Sequence, residues 1–201
     1  MLINTHFIIS KVVLEKIENK KSFFVNEKHF IYGNIKPDIS SKYLLNKHYL
    51  EESLPMILDK IKNLCQLTLD SLKRYFPISR LSQELGVICH FLCDFFTTPH
   101  SERWRFTHSI DIMNKHVSYE KGLNNFAKQM NFANIKNNLT HKIDNDIEEF
   151  FHNIYGEYKE KYPCFENDLK FSVYACCEVI NHILDSILTN TANSYTLQNC
   201  I

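Results

Sequence analysis

The chain has 201 residues, enough for one domain with a filled core, and its 23 Lys+Arg and 23 Asp+Glu cancel to a formal net charge of zero. That balance excludes the basic field of a general nucleic-acid binder and the acidic tail of a solvating segment. Only 4 glycines and 5 prolines are present, which argues against a turn-rich β architecture and for long helices.

The start, MLINTHFIISKVVLEKI, lacks a cationic leader and a small-residue cleavage site, and it carries Lys11, Glu15 and Lys16 at helical spacing. It is expected to be a first helix, Thr5–Ile17, capped by Thr5, with Phe7, Ile8, Val12 and Leu14 on its apolar face. No run of about 20 uncharged apolar residues is evident, so a cytoplasmic chain is expected unless another route exports it. Residues Glu18–Asp38 are polar with short apolar islands. Their Gly33-Asn34 and Pro37-Asp38 pairs predict an ordered loop.

A second helix is predicted from Tyr49 towards Leu69, with Leu54, Ile57, Leu58, Ile61 and Leu64 buried. A connector, Asp70–Ser79, then leads to a central helix over Ser79–Thr97. After a loop, Thr98–Ser109, that holds Trp104, a further helix spans Ile110–Met130. Amphipathic segments follow at Leu139–Tyr162 and Phe165–Leu188, and the polar tail after Thr189, the last dozen residues included, is expected to fray. Neither a repeat nor a linker divides the chain, so residues 1–201 are expected to form one domain. The seven cysteines, Cys65, Cys89, Cys93, Cys164, Cys176, Cys177 and Cys200, are odd in number and several lie on apolar faces. They are expected to be reduced and buried.

The most informative stretch is Leu85–His100, LGVICHFLCDFFTTPH. Leu85, Ile88, Leu92 and Phe96 recur at helical spacing, with Cys89 and Phe95 widening the stripe. His90 and Asp94 stand four apart on one face, and Pro99-His100 follows the helix. An unpaired carboxylate in so apolar a helix costs several kcal/mol. Pairing with His90 or Arg103 would satisfy Asp94 without a metal, but the flanking imidazoles make a metal the economical partner.

Other candidates each have an ordinary reading. His6 would be a core or capping histidine, Asp38 a turn aspartate and His48 a solvated one. His116 and Glu120 form an i, i+4 pair of the kind common on exposed faces. His29, His108, His141, His152 and His182 lack a matching acidic pattern, with His108 near enough to stand in reserve. Taken together, His6, Asp38, His48, His90, Asp94, His100, His116 and Glu120 offer nitrogen and oxygen donors without a thiolate, the preference of catalytic zinc. They exceed one tetrahedral ion. Sharing one carboxylate, they suit the clusters of two or three ions used on phosphate esters.

The pieces THFII, GNIKPD, KHYLE, LGVICHFLCDFFTTPH and HVSYE occur in this order within residues 1–120. In them the chain resembles the bacterial zinc-dependent phospholipase C family, which shares its helical fold with secreted single-strand-specific zinc nucleases. The resemblance implies an all-α, single-domain helical bundle binding two or three zinc ions. It implies one ion on Asp38, His48, His90 and Asp94, and a second on His100, His116 and Glu120. A third would sit on His6, the other oxygen of Asp94, and the amino and carbonyl groups of Met1. The chain departs from the family at Met1, where relatives carry a tryptophan exposed by cleavage. Asp38 is expected to orient the attacking water and Glu120 to border the substrate.

The implied activity is phosphodiester hydrolysis by metal-activated hydroxide, releasing a phospholipid head group. The alternatives are a nuclease or nucleotidase of the sister family and a non-catalytic metal-binding descendant. Neutral charge favours a zwitterionic lipid over a polyanion, so no stable nucleic-acid partner is expected. Peripheral membrane contact would fall to exposed aromatics among Phe23, Phe24, Phe95, Phe96 and Trp104. The sequence is silent on oligomeric state.

Overall fold

The computed structural model describes residues 1–18, 20–40, 43, 47–104, 109–137, 139–144 and 146–198. The described residues contain α-helices and short 3₁₀ turns and no strand. The helices are α1 (Ile3–Lys16), α2 (Glu27–Ile39), α3 (Leu50–Cys65), α4 (Leu69–Arg74), α5 (Ile78–Phe95), α6 (Thr98–Ser101), α7 (Ile110–Ala127), α8 (Ile147–Glu160) and α9 (Phe165–Gln198).

α5 is the axis. Leu81, Leu85, Val87, Ile88, Cys89, Phe91, Leu92 and Cys93 are fully buried, so the helix is enclosed on all sides. α2 packs along one side of it, α9 along another, and α1, α3, α4 and α6 close the rest. The apolar positions expected on α3, Leu54, Ile57, Leu58, Ile61 and Leu64, are all in the core.

Four expectations are corrected. Residues 27–39 form a helix, not a loop. Asn26 caps it by accepting the His29 N–H, and Gly33, Asn34, Pro37 and Asp38 lie within it. Gly33 and Gly86 serve close approach here. A Cβ on Gly33 would come within 2.2 Å of the Gln83 carbonyl oxygen, and one on Gly86 within 2.2 Å of the Phe30 carbonyl oxygen. Thr5 does not cap α1: it is buried inside that helix and donates to Asn124 Oδ1 on α7 at 3.3 Å. α3 ends at Cys65, and the expected connector holds α4, begun by a reciprocal Thr68–Ser71 capping box.

The fourth correction concerns the tail, which is helical through Gln198. Its polar residues are tethered: Asn190 donates to the Cys65 carbonyl at 2.7 Å, and Thr191 Oγ1 accepts the Leu69 N–H at 2.9 Å. α9 is long and apolar enough to cross a membrane by length and composition, which the sequence reading did not anticipate. Its most apolar window is 67% buried against neighbouring helices, as in the core helix of a folded bundle. Nothing in the fold assigns the chain to the cytoplasm.

Cys89, Cys93, Cys176 and Cys177 are buried thiols outside any disulfide, while Cys65 and Cys164 are half-buried. Of the aromatics considered for membrane contact, Phe24, Phe95 and Phe96 are core and Phe23 is exposed. His108 and Cys200 lie outside the described residues. His141 has a partner after all in Glu157, at 3.0 Å, from a separation no helical pattern reveals.

Candidate metal centre

Six segments deliver the expected donors to one place. Met1 and α1 bring the amino terminus and His6, α2 brings Asp38, and the segment before α3 brings His48. α5 brings His90 and Asp94, α6 brings His100, and α7 brings His116 and Glu120. Asp94 lies at the centre, fully buried. Its Oδ1 is 2.6 Å from the Met1 amino nitrogen, 3.5 Å from His6 Nε2 and 3.9 Å from His100 Nε2. Its Oδ2 is 2.7 Å from His48 Nδ1 and 3.4 Å from His90 Nε2. Each oxygen thus addresses a different set of donors.

Among the described residues, three groups each hold donor atoms within 4.8 Å of one another: His6, Asp38 and His90; His48, His90 and Asp94; and His100, His116 and Glu120. Around His90 Nε2, the distances to Asp38 Oδ1, His48 Nδ1 and Asp94 Oδ2 are 3.6, 3.3 and 3.4 Å. Bonds of about 2.1 Å to zinc place neighbouring donors of a tetrahedron about 3.4 Å apart, so this spacing suits an ion. In the third group His116 Nε2 and Glu120 Oε1 are 3.0 Å apart, and His100 Nε2 lies 3.7 Å from the same oxygen.

Main-chain carbonyls orient three of the rings. His90 Nδ1 meets the Asn34 carbonyl at 2.7 Å, His100 Nδ1 the His48 carbonyl at 2.9 Å, and His116 Nδ1 the Trp104 carbonyl at 2.9 Å. A carbonyl only accepts, so each Nδ1 carries a proton and each ring turns its Nε2 into the cluster. Lone pairs facing carboxylate oxygens repel unless a proton or a cation lies between them. His6 makes the same point from a different direction, for it is fully buried, its Nε2 stands 3.5 Å from Asp94 Oδ1, and among the described residues neither ring nitrogen makes a hydrogen bond. On this chemistry the residues fit zinc.

The electrostatics agree. Burial opposes ionisation of Asp94, but the Met1 amino group and the bond to His48 outweigh it and hold the carboxyl well below its usual range. Burial likewise opposes charge on Glu120, yet the amino terminus and the bonds to His100 and His116 pull it down. Burial disfavours the Met1 ammonium, but Asp94 and Glu120 raise it to about 11, and His6 is raised to about 9 against its own burial by Asp94 and Cys93. Burial dominates at His90 and His100, which are both lowered and so stay neutral with a lone pair to give. Asp38 is pushed up, chiefly by burial. His48 is raised: its bond to Asp94 overcomes its burial. Without ions, then, an ammonium and protonated imidazoles balance the carboxylates that cations would otherwise neutralise.

Asp94 does not pair with Arg103. That side chain instead forks onto Glu52 at 2.9 Å, also reaches Glu51 on α3, and lies over the Tyr49 ring. Arg103 has φ 55°, a left-handed conformation one residue before the carbonyl that receives His116. Sequence reasoning missed the acceptor roles of the Asn34, His48 and Trp104 carbonyls, because backbone acceptors leave no side-chain pattern to read.

Comparison with known proteins adds one match. The family model for zinc dependent phospholipase C covers residues 5–165 of this chain. No curated protein and no solved structure matches it significantly.

Proposed function

The chain belongs to the zinc-dependent phospholipase C family, and we propose that it is a zinc-dependent phosphodiester hydrolase that releases the head group of a phospholipid. The observation that carries this reading is the single buried Asp94 carboxylate whose two oxygens face separate donor sets. Asp38, His48, His90 and Asp94 would hold one ion, and His100, His116 and Glu120 a second. His6, the Met1 amino group and the other Asp94 oxygen would hold a third. When bound, zinc supplies Lewis acidity, bringing the pKa of water to about 7 and offsetting charge on phosphoryl oxygens.

The protein groups then have distinct tasks. Asp38 and Glu120 are the partly exposed carboxylates of the cluster, at 24% and 13% side-chain exposure, so water and substrate meet them first. Asp38 orients the attacking water for in-line approach, and Glu120 borders the head group. Asp94, His6 and His90 are sealed from solvent and keep the geometry fixed. A lipid is favoured over a polyanion by the zero net charge. It is also favoured by an exposed apolar stripe on α7, Ile110, Met113 and Val117, at i, i+3, i+7 on the helix that carries His116 and Glu120.

The test is hydrolysis of phosphatidylcholine micelles beside single-stranded DNA, each with and without a chelator, together with zinc analysis of protein whose first residue is Met1. Chelator-sensitive release of phosphocholine supports the reading. Cleavage of DNA alone would assign the nuclease activity instead, and protein that takes up no zinc would remove both.

A further inference from the structure

The donors at the centre are held by two different supports. His48, His90 and Asp94 depend on α2 and α5, where the Asn34 carbonyl orients His90 across the Gly33–Gly86 crossing. His100, His116 and Glu120 lie on α6 and α7, which need a tie of their own. A fully buried carboxylate on α9, Asp168, supplies it. Asp168 Oδ2 accepts the Thr98 N–H at 2.9 Å and the Tyr119 hydroxyl at 2.9 Å, while Oδ1 accepts the Tyr158 hydroxyl at 2.8 Å and the Thr98 hydroxyl at 3.1 Å.

Thr98 is two residues before His100, and Tyr119 immediately precedes Glu120 and is three residues from His116. The Tyr119 ring also packs edge-on to Trp104 at 5.6 Å, and Trp104 supplies the carbonyl that receives His116 Nδ1. One side chain therefore reaches all three donors of this group through neighbours, and touches none of them. Asp168 lies beyond the residues matched to the family, 5–165.

We infer that Asp168 is the positioning residue of the His100–His116–Glu120 ion, setting the affinity of that ion independently of the others. The inference rests on the zinc reading of the cluster. Outer groups of this kind change metal affinity by about 10–100-fold when removed, because they fix ring and carboxylate orientation.

The experiment measures zinc content and stepwise zinc affinity by chelator competition for the wild type, Asp168→Ala, Tyr119→Phe, His116→Ala and the double variant Asp168→Ala/His116→Ala. The expected result is loss of one ion by at least about 10-fold in Asp168→Ala, with the remaining ions as tight as in the wild type. His116→Ala should lose the same ion, and the double variant should lose no more than His116→Ala, since both act on one site. If Asp168→Ala fails to fold because four donors lose their acceptor, Tyr119→Phe removes one of them and should weaken that ion alone by several-fold. Equal weakening of every ion, unchanged affinity in Tyr119→Phe and any folded Asp168→Ala, or additive losses in the double variant would overturn the inference. A wild type without zinc would overturn the underlying metal reading instead.

Discussion

Replacing Asp94 by Asn tests the centre most directly, because it keeps the volume and removes the charge shared by both donor sets. In the metal-free chain the Met1 ammonium sits 2.6 Å from Asp94 and is raised from 8.0 to about 11. Three decades of proton affinity correspond to about 4 kcal/mol, in line with the roughly 3–5 kcal/mol lost when one partner of a buried pair is removed. Glu120, 3.0 Å from the same nitrogen, retains part of it. The variant should therefore lose about 2–4 kcal/mol, or about 4–16 °C in Tm for a chain of this size.

The pH dependence carries the sign. A base whose folded pKa is raised stabilises in full below pH 8 and loses that contribution as pH climbs from 8 towards 11. Metal-free wild type should lose stability over that window, and Asp94→Asn should lose much less. With zinc, the variant should bind fewer ions than His116→Ala, which touches one donor group, whereas Asp94 faces two. Thermal melts from pH 7 to 11 and zinc analysis after desalting decide it. An Asp94→Asn protein with wild-type zinc content, or one whose stability falls above pH 8 as the wild type's does, would refute the reasoning.

Further outcomes follow from the same geometry. Acetylating the Met1 amine, or adding residues ahead of it, should abolish its pairing with Asp94 and Glu120, lower the metal-free Tm and weaken at least one zinc, read by melting and chelator competition. Gly86→Ala would press a Cβ to 2.2 Å from the Phe30 carbonyl oxygen and 2.7 Å from the Asn34 N–H nitrogen. It should cost about 1–3 kcal/mol or more by denaturant melting and weaken zinc at His90, since Asn34 orients that ring. Ending the chain after Thr189 should destabilise it by about 1–3 kcal/mol, as the tethers of Asn190 and Thr191 to the ends of α3 and α4 are lost; a neutral truncation would show the tail to be dispensable. Zinc should raise Tm in a concentration-dependent manner, and a chelator should reverse the gain.

The sequence by itself determined the helical class, the central helix and which donor types gather at the centre. Helical periodicity marks a buried face, and i, i+4 spacing places His90 beside Asp94 and His116 beside Glu120 whatever the rest of the chain does. The order of short donor-bearing pieces was equally legible, and it pointed to the family before any coordinates. Local patterns fell short where two meanings share one signal. Gly33-Asn34 reads as a turn in isolation, yet it lies inside α2, where Gly33 and Gly86 let that helix approach α5 at backbone distance. Likewise the polar residues after Thr189 read as a frayed end until Cys65 and Leu69 are seen to accept and donate to them. Tertiary structure alone decided that Met1 is buried against Asp94, that carbonyls of Asn34, His48 and Trp104 set the ring tautomers, and that Asp168 ties α6 to α7. Those are contacts between residues far apart in the chain, made by backbone atoms or by side chains of ordinary type, so no spacing rule encodes them.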